Sequence, residues 1–125
     1  MDARTSGSTS SRLYICDARS FDRAALSVLL ESEQMPVARS TTRIADLVQE
    51  LAARPNPMVL IGSRIVREQG SDAVDELHAA NRHAIVILVG VDVETLPTRA
   101  RQAHADGYLL RDDTLAARLK QSLAI

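Results

Sequence analysis

Four apolar residues, Met58-Val59-Leu60-Ile61, stand unbroken between Pro57 and Gly62. A run so short, with no polar alternation, suits a strand covered on both faces better than a helix. Leu13–Cys16 (L-Y-I-C) and Ala84–Val89 (A-I-V-I-L-V) are similar runs, and Tyr108-Leu109-Leu110 follows Gly107. Met35-Pro36-Val37-Ala38 reads as a short edge strand, where proline is tolerated. Between these runs lie stretches with helical periodicity. That alternation is the pattern of a parallel sheet with helices on both faces, a doubly wound α/β domain. In such a sheet the functional residues sit just past the carboxyl ends of the strands. Here those ends read Asp17-Ala18, Gly62-Ser63, Val89-Gly90 and Arg111-Asp112.

The helical stretches have legible faces. Ser20 is placed to cap a first helix with Phe21, Ala25, Val28 and Leu29 on one side. Ser40, Thr41 and Thr42 offer caps for a second, whose Ile44, Leu47, Val48 and Leu51 follow the i, i+3, i+4, i+7 rule. Arg54-Pro55-Asn56-Pro57 ends it. A third helix should begin near Gly70-Ser71 and turn Ala73, Val74, Leu77 and Ala80 inward. The fourth, from about Asp92 or Leu96 to Ala105, is weakly patterned, with Leu96, Ala100 and Ala103 as core positions and Pro97 in its first turn. The fifth starts at Asp112-Asp113-Thr114 and buries Leu115, Leu119 and Leu123.

Whole-chain properties exclude several functions. At 125 residues with 46% hydrophobic content, the chain is a single domain with a real core. A net charge of −1 gives no electrostatic footprint for nucleic acid or an anionic membrane. The lone Cys16 permits no internal disulfide and no zinc site, and it fits a reducing cytoplasm. No apolar run approaches the roughly 20 residues that span a bilayer. Residues 1–11, rich in Ser, Thr and Gly without an apolar core, read as a flexible leader, leaving 12–125 as the domain.

The run Ala105-Asp106-Gly107-Tyr108-Leu109-Leu110-Arg111-Asp112 resembles the A-D-G-Y-L-L-K-D run of response-regulator receiver domains of the NarL/LuxR type, with one change. Arg12 to Leu26 looks like that family's first strand, acidic pocket and first helix. Gly62-Ser63-Arg64-Ile65 with Gly70 looks like its D-L-R-M-P-G-M-D-G loop. The resemblance implies a flavodoxin-like sheet of order 2-1-3-4-5. It also implies a regulatory role, an output DNA-binding domain in the same or another chain, and a homodimer, expected to use the fifth helix, which leaves Ala116, Ala117 and Leu123 to Ile125 available beyond its core stripe.

A receiver holds Mg²⁺ on two acids after the first strand and an aspartate after the third, and that aspartate accepts a phosphoryl group. A Thr or Ser after the fourth strand and a Lys after the fifth bind the phosphoryl oxygens. Carried over residue by residue, Asp17 survives as the first acid, but Ala18 replaces the second. Gly62 stands at the acceptor position with Ser63 beside it, Val89 replaces the hydroxyl residue and Arg111 the lysine. Glycine cannot accept a phosphoryl group, and a lone carboxylate makes a poor Mg²⁺ site. The expectation is a phosphorylation-independent pseudo-receiver with no cofactor, metal or catalytic residue. Arg111 is expected to reach Asp17 or the carbonyls around Gly62. Arg19, Arg64, Arg67 and Arg111 all come from loops at this end, so an alternative is a sensor of small anions in the degenerate pocket.

Other motifs read weakly. Cys16 precedes Arg23 by one residue more than a C-x5-R phosphate loop requires, so it reads as a buried apolar side chain. His78 and His83 read as solvent-facing and His104 as packed at the end of the fourth helix, all without metal-ligand spacing.

Overall fold

The computed structural model describes residues 12–70 and 72–124, with the side chains of Leu123 and Ala124 left aside. The expected leader, and Ile125, lie outside the described residues. Five strands form one parallel sheet of order β2-β1-β3-β4-β5: β1 (Leu13–Cys16), β2 (Val37–Thr41), β3 (Met58–Gly62), β4 (Ile85–Gly90) and β5 (Gly107–Leu110). Six helices cover it: α1 (Ser20–Ser32), α2 (Ala45–Ala52), α3 (Ser63–Gln69), α4 (Ala73–Ala80), α5 (Leu96–Gln102) and α6 (Leu115–Ala124). The doubly wound reading and its strand order both hold.

The three central apolar runs, β1, β3 and β4, are strands because helices bury them from both sides. Tyr14, Cys16, Val59, Ile61, Val86 and Leu88 face α2 to α5, while Leu13, Ile15, Met58 and Leu60 face α1 and α6. Register aligns the carboxyl ends. Cys16 pairs with Thr41 on one side and Ile61 on the other, and Gly62 pairs with Val89. Gly90 pairs with Leu110, which sets Asp17, Gly62, Val89 and Arg111 along one edge.

Three helix assignments need correction. In α1 the buried residues are Leu26 and Leu30, whereas Phe21 is 79% and Val28 65% exposed. The A-A-L-S-V-L-L stretch is apolar on several sides, so periodicity alone left the choice of face degenerate. The result is an exposed stripe of Phe21, Ala24, Ala25 and Val28. Next, Ser63 to Gln69 is a helix and not a loop. The proline of the motif it resembles is absent, Ile65 is fully buried, and only Gly70, at φ +98°, stops the turn. Finally, Ala116 on α6 is buried among core residues, so it is not available on the surface as a small-residue contact.

Neither expected hydroxyl cap operates as a helix cap. The residue before α1 is Arg19, and no side chain caps that helix. At α2 the amide of Gln69 substitutes: its Oε1 accepts from the Ile44 N–H (3.2 Å) and its Nε2 donates to the Thr42 carbonyl (2.8 Å). Thr41 instead donates to Asp46 at 2.8 Å.

Candidate functional site

The sheet edge places one buried acid. Asp17 is 4% exposed at the end of β1, with its backbone N–H held by the Thr41 carbonyl at 3.0 Å. Its Oδ1 accepts from the Ala18 N–H at 2.7 Å, and its Oδ2 accepts from Arg111 Nη2 in a direct ion pair. Arg111 reaches it because the strand pairing continues past Leu110: the Arg111 N–H donates to the Gly90 carbonyl at 2.7 Å. A buried carboxylate that meets a guanidinium is satisfied by a charge-assisted bond.

Gly62 is glycine for space and not for backbone freedom. Its φ of −70° and ψ of 143° are ordinary extended values that any residue adopts. A Cβ at that position would lie 2.6 Å from Asp17 Cγ and 2.8 Å from Oδ2. The Asp17 carboxylate therefore occupies the room that a side chain at residue 62 would need. Ala18 is half-buried and packs toward the core, and it offers no ligand atom.

Above this floor lies a cavity of about 260 Å³ whose lining includes Asp17, Arg19, Asp22, Arg64, Arg67 and Arg111. Ser63 and Val89 line it too, so the structure brings together Asp17, Gly62, Ser63, Val89 and Arg111. Arg19, Arg64 and Arg67 make no hydrogen bond or ion pair with another described side chain. Four arginines against two aspartates make the pocket cationic, the reverse of a divalent-cation site.

The other candidates separate from it. Burial pushes the Cys16 thiol up to about 12, helped by the Asp17 charge, so it is no nucleophile at neutral pH. Arg23 donates to the Asp17 carbonyl at 3.2 Å instead of serving that thiol. His78 contacts Asp106 at 2.8 Å and His104 contacts Asp75 at 3.0 Å. His104 is exposed and not packed, and at φ +66° it takes a left-handed conformation that glycine adopts without strain. No cluster of three His, Cys, Asp or Glu side chains suited to a metal exists among the described residues. One feature escaped the sequence reading. Thr95 and Arg99 line a further cavity with Ser63 and Arg67, and only the α3 helix brings these four together.

No protein-family model matches this chain, and neither does any curated protein. Solved structures do. A protein named for pilus assembly (CpaE) from Burkholderia thailandensis superposes with a TM-score of 0.71 at 19% identity, covering 92% of this chain and 99% of its own. The signal receiver domain of the response regulator NarL from Mycobacterium tuberculosis gives 0.71 at 20% identity, over 91% of this chain and 95% of that one. A CheY-like protein (TadZ) from Pseudomonas aeruginosa gives 0.65 at 15% identity, over 90% and 98%. The chain has the CheY-like receiver fold.

Proposed function

We propose that this domain is a phosphorylation-independent pseudo-receiver, a regulatory module of the two-component type that acts through protein contacts. One observation carries the reading: Asp17 fills the space beside Gly62 and is neutralised by Arg111, so acceptor, metal and phosphoryl sites are replaced by an internal ion pair. The pair holds the switch in a single state. Incubation with acetyl phosphate and Mg²⁺ should leave the intact mass unchanged. A stable gain of one phosphoryl group on an aspartate would overturn the proposal.

The output we assign is transcription, through a DNA-binding domain in the same or a partner chain. The Ala105–Asp112 run supports it by its likeness to NarL/LuxR receivers, and a NarL receiver is among the structural neighbours. The names of two Burkholderia neighbours carry the competing output, pilus assembly. A helix-turn-helix domain in the same or a partner chain would favour transcription over pilus assembly. A cytoplasmic setting goes with either, supported by the single buried cysteine; no helix among the described residues is long and apolar enough to cross a membrane.

Self-association belongs to the same proposal. We place the face on the exposed Phe21–Val28 stripe of α1 in preference to α6, where Ala117 is exposed but Ala116 is buried. Two antiparallel copies of α1 would set Phe21 of each against Val28 of the other, with Ala24 and Ala25 allowing close approach. Sedimentation should show a dimer at high micromolar concentration that Phe21→Asp dissociates. A monomer throughout would remove this part of the proposal.

A second reading, a sensor of small anions, is favoured by the four arginines around the pocket of about 260 Å³. Saturable binding of inorganic phosphate at Arg64 and Arg111 would support it.

A further inference from the structure

Helix α3 presents Ser63, Val66 and Arg67 on one face, at the i, i+3, i+4 spacing. Across from it, Thr95 and α5 present Arg99 and Gln102, at i, i+4 and i+7. Two adjoining cavities occupy the cleft between them. The outer, about 190 Å³, is lined by Ser63, Arg67, Thr95 and Arg99 with the chain from Gly90 to Asp92. The inner, about 180 Å³, shares Ser63, Arg67 and Arg99 but is walled by Val66, Leu88 and Ala103. The cleft thus has a cationic mouth and an apolar depth.

Its polar groups are uncommitted. Neither Arg67 nor Arg99 makes a side-chain hydrogen bond or ion pair among the described residues, although the two line the same cavities from opposing helices. The Thr95 hydroxyl oxygen is buried without a well-formed hydrogen bond, and it lies beside the Asp92 carboxylate, whose ionised form it helps to hold. A buried polar atom without a well-formed bond is uncommon enough to ask what would satisfy it. Among the described residues, Asp92, at the mouth, is the one acid lining the cleft. It stays ionised, its carboxyl held below the usual range chiefly by the Glu94 N–H, and leaves the cleft with one net positive charge.

We propose that this cleft binds a small organic phosphate monoester, its phosphate between Arg67 and Arg99 and its apolar part on Val66, Leu88 and Ala103. Two guanidiniums against the single Asp92 carboxylate leave a net positive charge that attracts the near-dianionic monoester at neutral pH. The Ser63 and Thr95 hydroxyls add donors to the third phosphate oxygen, more donors than a carboxylate would use. The inner cavity is small, so the apolar part is a single ring or short chain. The proposal rests on the anion-sensing reading in that Arg67 also lines the receiver pocket. It goes further in naming the ligand class and moving the site toward α5.

The test is a backbone-amide NMR titration of the domain with phenyl phosphate and, separately, inorganic phosphate. Phenyl phosphate should shift Ser63, Val66, Thr95 and Arg99 saturably, and bind at least tenfold more tightly than inorganic phosphate. Arg67→Gln and Arg99→Gln should each weaken it about tenfold, with well-dispersed spectra showing that the variants fold. Arg101→Gln, which removes a charge from α5 outside the cleft, should change it less than twofold. Equal affinity for both probes, with shifts centred on Arg64 and Arg111, would overturn this proposal and leave the anion-sensing reading standing. No saturable shift with either probe would overturn both, without touching the pseudo-receiver reading.

Discussion

Gly62→Ala should destabilise this domain by about 3 kcal/mol, a large effect for the addition of one methyl group. The new Cβ would lie 2.6 Å from both Cγ and Oδ1 of Asp17, well inside contact distance. Asp17 has a short side chain with its carboxylate fixed at both oxygens, by the Ala18 N–H and by Arg111, so it has nowhere to withdraw. Either the sheet edge shifts or the ion pair breaks. Glycine-to-alanine changes also stiffen the unfolded chain, which normally stabilises by about 0.4–1 kcal/mol. The steric term is several times larger and wins. Chemical denaturation should show a lower midpoint at unchanged slope. On an Asp17→Ala background the same change should cost under about 1 kcal/mol, because the obstructing carboxylate is gone. A cost below about 1 kcal/mol in the wild-type background would show that the pocket has slack the structure does not suggest.

Arg111→Ala should cost about 1–3 kcal/mol, the consequence of leaving a buried charged acceptor without its donor. The Asp17 side chain is 5% exposed and that of Arg111 23%, so water cannot substitute fully for the lost guanidinium. The backbone bond from the Arg111 N–H to the Gly90 carbonyl is untouched by the substitution, which confines the loss to the side chain. The sign of the coupling is the sharper test. Removing both partners in Asp17→Ala/Arg111→Ala should be less destabilising than Arg111→Ala alone, since no orphan charge then stays inside. Additive losses from a double-mutant cycle would mean that the two side chains do not depend on each other.

The sheet was legible because its three inner strands are unbroken apolar runs, which suit strands covered on both faces. The order of the strands came from the Ala105–Asp112 resemblance and not from periodicity. Helix α1 shows the limit of pattern reading. With leucine, valine and alanine spread around the whole helix, burial is decided by which side meets Leu13 and Ile15, a tertiary fact. Helix α3 was missed because the resemblance suggested a loop there, while the local residues contain no glycine or proline between Ser63 and Gln69. The same omission hid the α3–α5 cleft. Asp17 was visible as the one receiver acid that survives, and Arg111 as a departure from the family's lysine. That Gly62 is required by the carboxylate next to it is a matter of ångströms, and no single sequence displays it.

The Asp17–Arg111 contact joins residues 94 positions apart, linking the first strand to the residue just after the last. Synthesis proceeds from the amino end, so Asp17 leaves the ribosome long before its cation exists. The nascent sheet up to β4 holds a carboxylate that it cannot bury without cost. The pocket end of β1 is therefore fully satisfied only once β5 and the residue after it have docked.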